Sequence, residues 1–202
     1  MQRISQKIYH QYFPTKNDIK SEIINLSAIL NLPKSTEEFV SDIHGEFAAF
    51  NHIFRNGSGN IKQKIAENFA NRLTETQQKE LAFLVYYPSD IIKQKKAMLS
   101  LSELNDWYEQ NFNLIIELLQ IVGSKYTRSK VRKALNPDFI YITEELMDTD
   151  QKNEDKEQYY HDILENLINL EIADHFLIGT CHAIQKLIVD HLHIIGDIYD
   201  RG

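Results

Sequence analysis

Cysteine is nearly absent from this chain of 202 residues: there is one, Cys181, set in an apolar stretch. A disulfide framework within the chain is therefore excluded, and so is a zinc site built on cysteine thiolates. Cys181 reads as a small buried hydrophobe. Glycine and proline are also scarce, with 7 and 4 residues, which argues for helices and against a turn-rich sandwich. No apolar run reaches the ~20 residues of a membrane span. The N-terminal MQRISQKIYHQYF lacks the apolar core of a secretory signal. Positive charge is in deficit too. With a net charge of −7, nucleic acid is not an expected partner, because neutralising its backbone takes clustered Lys and Arg. A cytoplasmic protein without a membrane partner is the expectation.

What remains is a globular composition, 43% hydrophobic and 25% charged, long enough to bury a core without cross-links. Helical periodicity dominates. Ile19, Ile23, Leu26 and Leu30 fall on one helical face, and Pro33 follows as a stop signal. Thr74 and Gln77 form a capping box ahead of an apolar run, and Pro88 is expected to end that helix. Ser102 is expected to cap another, whose face carries Leu104, Trp107, Leu114, Leu118 and Val122. The regions 159–170 and 172–189 also read as helices, and the polar stretch 148–157 as a surface loop. Two short runs break the pattern. Residues 38–41 and 191–195 lean toward strand, and each runs into a Gly- and Asp-containing turn, with Asp42 in the first and Asp197 in the second. Functional side chains thus sit past the carboxyl ends of two strands, where α/β sheets place ligands. The helical block between them is too long for a simple crossover and reads as an insertion.

The first turn is Asp42-Ile43-His44-Gly45-Glu46. An aspartate and a histidine two apart can aim an oxygen and an imidazole nitrogen at one cation, although a capped surface turn uses the same residues. The second is Gly196-Asp197-Ile198-Tyr199-Asp200-Arg201-Gly202. Its plainer reading is an ion-paired turn in which Arg201 bridges Asp197 and Asp200.

Together the two strings resemble the first two motifs of the calcineurin-like metallophosphoesterases. The longer stretches SDIHGEFAAFNHIFRNGSG, KYTRSKVRKAL and VDHLHIIGDIYDRG resemble, more narrowly, the class III fructose-1,6-bisphosphatases of bacteria. That resemblance implies an α/β metallophosphoesterase core, of which only the first strands are present. Residues 1–57 would begin the core, 58–189 would be a helical insertion that makes the chain predominantly helical, and 190–202 would return to the core. It also implies a two-metal manganese site. Asp42 and His44 would hold the first metal, and Asp197 would bridge both. Arg201 would grip phosphate, with Asp200 orienting it or a general-acid histidine. The substrate would be a sugar bisphosphate, hydrolysed in gluconeogenesis. The family pattern continues past the second motif with Asn-His-Glu and further histidines. The 202 residues alone are therefore expected to have little or no activity, and an open strand edge would invite self-association into homo-oligomers. The rival readings are a related phosphatase of other specificity and a non-catalytic helical interaction module with a partial metal site.

Other residues carry weaker signals. His191 and His193 share one strand face, as a metal pair or as structural hydrogen-bonding groups. His52, two turns after His44, could face the cleft but reads better as surface or core. Lys125, Arg128, Lys130, Arg132 and Lys133 form the one dense basic run. It is a solvated helix face or, through Arg128 and Arg132, a dock for the substrate's non-reacting phosphate. Tyr126, Tyr141, Tyr159 and Tyr160 read as packing residues.

Overall fold

The structure, a computed structural model, describes residues 11–148 and 156–199. Thr15 accepts from the amide of Asp18, and the Asp18 carboxylate accepts from the amide of Thr15, which starts α1 (Lys16–Ile29). The expected apolar face is present but uncovered. Ile19, Ile23, Leu26 and Leu30 are all exposed, and no residue of α1 is buried.

The strand β1 (Glu37–Val40) follows, and its partner β2 (His191–Ile194) arrives at the far end of the described chain. They pair in parallel, with Glu37 opposite His191 and Val40 opposite Ile194. Both strands stand where the sequence places them, within a residue. Among the described residues these two are the whole sheet. The chain is thus predominantly helical with one parallel strand pair, and the fuller metallophosphoesterase sheet does not appear among the described residues.

Between the strands run α2 (Phe47–Asn56), α3 (Asn60–Phe69), α4 (Glu75–Tyr86), α5 (Pro88–Met98) and α6 (Leu101–Gly123). Then come α7 (Arg128–Ala134), a 3-10 turn, α8 (Ile140–Met147), α9 (Glu157–Asn169) and α10 (Ala173–Ile188). The Thr74–Gln77 capping box starts α4 as expected. Two expectations are corrected. Pro88 does not only stop a helix: it is the first residue of α5, where a missing N–H costs nothing and the fixed φ suits a helix. Ser100, not Ser102, caps α6, because Glu103 lies three residues on and returns the reciprocal bond. The surface loop is shorter than expected at its end, since Glu157 already begins α9. Residues 149–155 lie outside the described part.

The core forms where α6 and α10 pack along one another. Phe112, Ile115, Leu118 and Leu119 of α6 meet Phe176, Leu177 and Ile184 of α10, all at most 1% exposed. Ile61, Ile65 and Phe69 of α3 and Leu84 of α4 close the other side. Burying each such side chain contributes roughly 1.5–3 kcal/mol before entropy is counted. Cys181 is fully buried here, as expected, and burial alone pushes its thiol pKa well up. No helix among the described residues is long and apolar enough to cross a membrane.

One carboxylate joins this helical block to the strands. The Asp190 side chain, 2% exposed, accepts from the Thr36 amide at 2.9 Å and the Tyr126 hydroxyl at 2.7 Å. Lys130 donates to its other oxygen, and Lys125 stands 3.5 Å away. The bond is reciprocal, for the Asp190 amide donates to the Thr36 carbonyl at 2.9 Å. The feet of both strands are thereby tied to α7 and to the turn that precedes it.

Candidate metal centre

Parallel pairing brings the two strand ends side by side, and the two turns that follow interlock. The Ile195 amide continues the ladder onto the Val40 carbonyl at 2.9 Å. Next, the Asp197 amide donates to Asp42 Oδ1 at 2.9 Å. In return the Asp197 carbonyl accepts from the amides of Ile43 at 2.7 Å and His44 at 3.2 Å. The Gly45 amide donates to the Ile198 carbonyl at 3.0 Å. Residues 155 positions apart thus hold each other's backbone.

Local geometry explains the residue choices. His44 and Gly45 have φ of 48° and 71°, so the chain reverses in the left-handed region before α2 begins at Phe47. Histidine tolerates that region better than most side chains, and glycine enters it without cost. Gly196 answers a different constraint, close approach: a β-carbon there would stand 2.2 Å from Asp42 Oδ1.

The side chains of Asp42, His44 and Asp197 are all exposed. Asp42 Oδ2, the His44 ring and the Asp197 carboxylate have no partner among the described residues. Two carboxylates and an imidazole are a fitting donor set for a hard or borderline divalent cation such as manganese. Their ligand atoms do not yet all lie within 4.8 Å of one another. Among the described residues that closeness belongs only to His161, Asp162 and Glu165, exposed neighbours on α9. The backbone clasp between the two turns is formed. Asp200 and Arg201 lie outside the described residues.

The far end of α2 is pinned as well. Gly57, at φ 57°, closes the helix, and its missing β-carbon leaves room for Ile188, which it would otherwise meet at 2.8 Å. Ser58 follows at φ 50° and donates its hydroxyl to Glu38 Oε1 on β1. Glu38 is 5% exposed, and its second oxygen has no partner among the described residues. Nothing in the sequence draws attention to Glu38, Ser58 or Asp190. Their partners lie 20 to 154 positions away, and only the fold brings them together.

The remaining candidates go elsewhere. His52 stacks on Tyr87 and shares a hydrogen bond with its hydroxyl, facing the helical block. His193 stacks on Phe39 at 4.6 Å and lies 3.6 Å from the Glu37 carboxylate, and both histidines of β2 are exposed. The contacts of His193 are thus a ring stack and a nearby carboxylate, and the His191 ring lies 6.4 Å from the His193 ring. Arg128 pairs with Asp148 at 3.1 Å and Arg132 with Glu144 at 3.6 Å. The structure does not bring them to Asp42 and Asp197. Their helix α7 adjoins Asp190, at the opposite end of the strands, and four strand residues at ~3.3 Å each make that separation ~13 Å or more. Tyr126 and Tyr160 are half-buried as expected, whereas Tyr141 and Tyr159 are on the surface.

A family described as Firmicute fructose-1,6-bisphosphatase matches residues 5–202. The chain belongs to that family. Its relatives include a protein named fructose-1,6-bisphosphatase class 3 from Ligilactobacillus salivarius (strain UCC118), 52% identical over 100% of this chain and 32% of the relative. The protein of that name from Latilactobacillus sakei subsp. sakei (strain 23K) is 55% identical over 94% of this chain and 30% of its own. The one from Clostridium botulinum (strain Hall / ATCC 3502 / NCTC 13319 / Type A) is 50% identical over 97% and 29%. The chain spans about a third of the length of these curated relatives. No solved structure matches it.

Proposed function

We propose that this chain supplies the first metal-binding half of a manganese-dependent fructose-1,6-bisphosphatase, which releases the 1-phosphate of fructose 1,6-bisphosphate to give fructose 6-phosphate. The observation that carries this is the bond from the Asp197 amide to Asp42 Oδ1, which joins the two motifs at adjacent strand ends. In this reading residues 1–57 and 190–202 belong to the catalytic core, and 58–189 are an insertion above it.

Asp42 and His44 would hold one cation, and Asp197, with two oxygens to offer, would be shared with a second. Such a metal pair supplies a hydroxide at neutral pH, through water whose pKa falls to about 7, and offsets charge on the attacked phosphate. The chain's own residues do the placing. Asp42 uses one oxygen to fix the Asp197 backbone and keeps the other for metal. His44, exposed in its left-handed turn, would supply its imidazole to the same cation. Arg201 would clamp phosphate oxygens with its fork of donors, a geometry lysine does not copy. Asp200 would orient Arg201 or an acid supplied from farther along the polypeptide. Arg128 and Arg132 keep a proposed part in docking the second phosphate only if their ion pairs with Asp148 and Glu144 open. A cytoplasmic, gluconeogenic setting and self-association through the open strand edges complete the proposal.

The test is phosphate release from fructose 1,6-bisphosphate and from a panel of protein, nucleotide and sugar phosphates, with and without Mn²⁺. A polypeptide of the relatives' length carrying these residues should prefer fructose 1,6-bisphosphate and need the metal. The 202-residue chain alone should turn over little. Metal-independent behaviour throughout would favour the interaction-module reading.

A further inference from the structure

The basic run does not reach the metal motifs, but the structure gives it another setting. A small pocket of ≈180 Å³ opens at the feet of the strands, lined by Thr36, Asn60, Lys64, Ser124 and Lys125 over an apolar floor that includes Ile188. We propose that this pocket binds a phosphate group, as inorganic phosphate or on a small phosphorylated metabolite, at a site separate from the metal motifs.

Size is the first consideration: the pocket has room for a phosphate group together with ordered water. Charge is the second. In a chain of net charge −7, three lysines gather here around one buried carboxylate: Lys125 and Lys130 reach Asp190, and Lys64 joins Lys125 in the pocket wall. The carboxylate facing Lys64 is Glu67, at 3.4 Å on the exposed side. One carboxylate, Asp190, faces two ammonium groups, Lys125 and Lys130. Burial pushes the Lys125 pKa down, and repulsion from Lys130 and Lys64 adds to it, so the attraction of Asp190 is outweighed. A second anion would relieve that excess.

Hydrogen-bond donors complete the wall. The Thr36 hydroxyl accepts from Lys125, which leaves its own proton to donate. Asn60 gives one amide hydrogen to the Gly57 carbonyl and retains the other. Ser124 donates to the Ile121 carbonyl at 2.8 Å and can turn outward. The pocket adjoins Thr36 and Asp190, one strand length from Asp42 and Asp197, so its occupant is not the phosphate under attack.

Binding is measured by calorimetric or NMR titration of the 202-residue chain with inorganic phosphate, in metal-free buffer at constant ionic strength. Leaving metal out makes the result independent of the phosphatase reading. Saturable binding with a Kd of about 1 mM or tighter is expected. Lys125→Met should weaken it by at least about tenfold and Lys64→Gln by several-fold, since charge-assisted bonds dominate such sites. Asp42→Asn should leave it unchanged. Fructose 6-phosphate, run in parallel, distinguishes the sources: tighter binding than phosphate marks a metabolite site, equal or weaker binding a free-phosphate site. Non-saturable binding overturns the proposal, as does loss in Asp42→Asn with retention in the lysine variants. If Lys125→Met fails to fold, Lys64→Gln decides: unchanged affinity in that variant refutes the site.

Discussion

Gly196 passes so close beneath Asp42 that a β-carbon on it would lie 2.2 Å from Asp42 Oδ1 and 2.8 Å from the Asp42 backbone nitrogen. The first contact could be relieved by turning a carboxylate, but the second is with main chain and cannot. The glycine of the second motif is therefore required by the first motif, across the whole helical block.

Gly196→Ala tests that relation without touching a ligand. It should separate the two turns and weaken Mn²⁺ binding by about tenfold or more, because ligands must be held close to productive geometry. The helical core lies elsewhere and should keep its far-ultraviolet circular dichroism. Manganese titration followed by electron paramagnetic resonance reads the first effect. An affinity equal to that of the unaltered chain would show that the clasp does not set the site.

Asp42 has two duties that substitution can divide. Asp42→Asn would keep an oxygen for the Asp197 amide and lose the charge, whereas Asp42→Ala would lose both. Each variant should lose metal affinity. Only Asp42→Ala should also lose the clasp, at a cost of about 0.5–1.5 kcal/mol for one net hydrogen bond. Urea unfolding of the metal-free proteins measures the difference. Equal stability of the two variants would mean that the 2.9 Å bond contributes nothing.

Glu38 and Ser58 make a sharper test of burial. Among the described residues, the Ser58 hydroxyl is the one donor to a carboxylate that is 5% exposed. Ser58→Ala should destabilise the chain by about 1–3 kcal/mol, because it leaves a buried group without any partner. Adding Glu38→Met should restore much of that loss, since replacing both members of a buried pair by apolar groups can be nearly neutral. A double variant no better than Ser58→Ala would place the cost in the loop, where Ser58 already sits at φ 50°.

These residues mark how far the sequence can be read. The strands and the Thr74–Gln77 cap follow from local chemistry, and the structure has them; of the two motifs it sets Asp42, His44 and Asp197 at adjacent strand ends. Ser100 is within reach of the same rule, since Glu103 stands three residues on. Pro88 misleads because proline both ends one helix and suits the first position of the next. The apolar stripe of α1 is legible, but its partner is not, for Ile19, Ile23 and Leu26 meet nothing that buries them among the described residues. The basic run shows the same limit. Its density is visible in the sequence, while its convergence on Asp190 depends on a contact 60 residues away.

Asp190 should make stability depend on acid in a defined direction. Burial opposes its charge, but bonds from Lys130, Tyr126 and the Thr36 amide outweigh burial and hold its pKa down to about 2. A group depressed in the folded state stabilises it above the unfolded value, about 3.9. That stabilisation is lost as pH falls through the folded value. The contribution, on the order of 2 kcal/mol, should be complete above pH about 5 and fade toward pH about 2. Asp190→Asn removes the titration, so the variant should be less stable at neutral pH and the gap should close as both proteins are acidified. Urea midpoints between those limits measure it. A gap that stays constant with pH would mean that Asp190 stabilises the fold through hydrogen bonds that survive its protonation, not through its charge on Lys125 and Lys130.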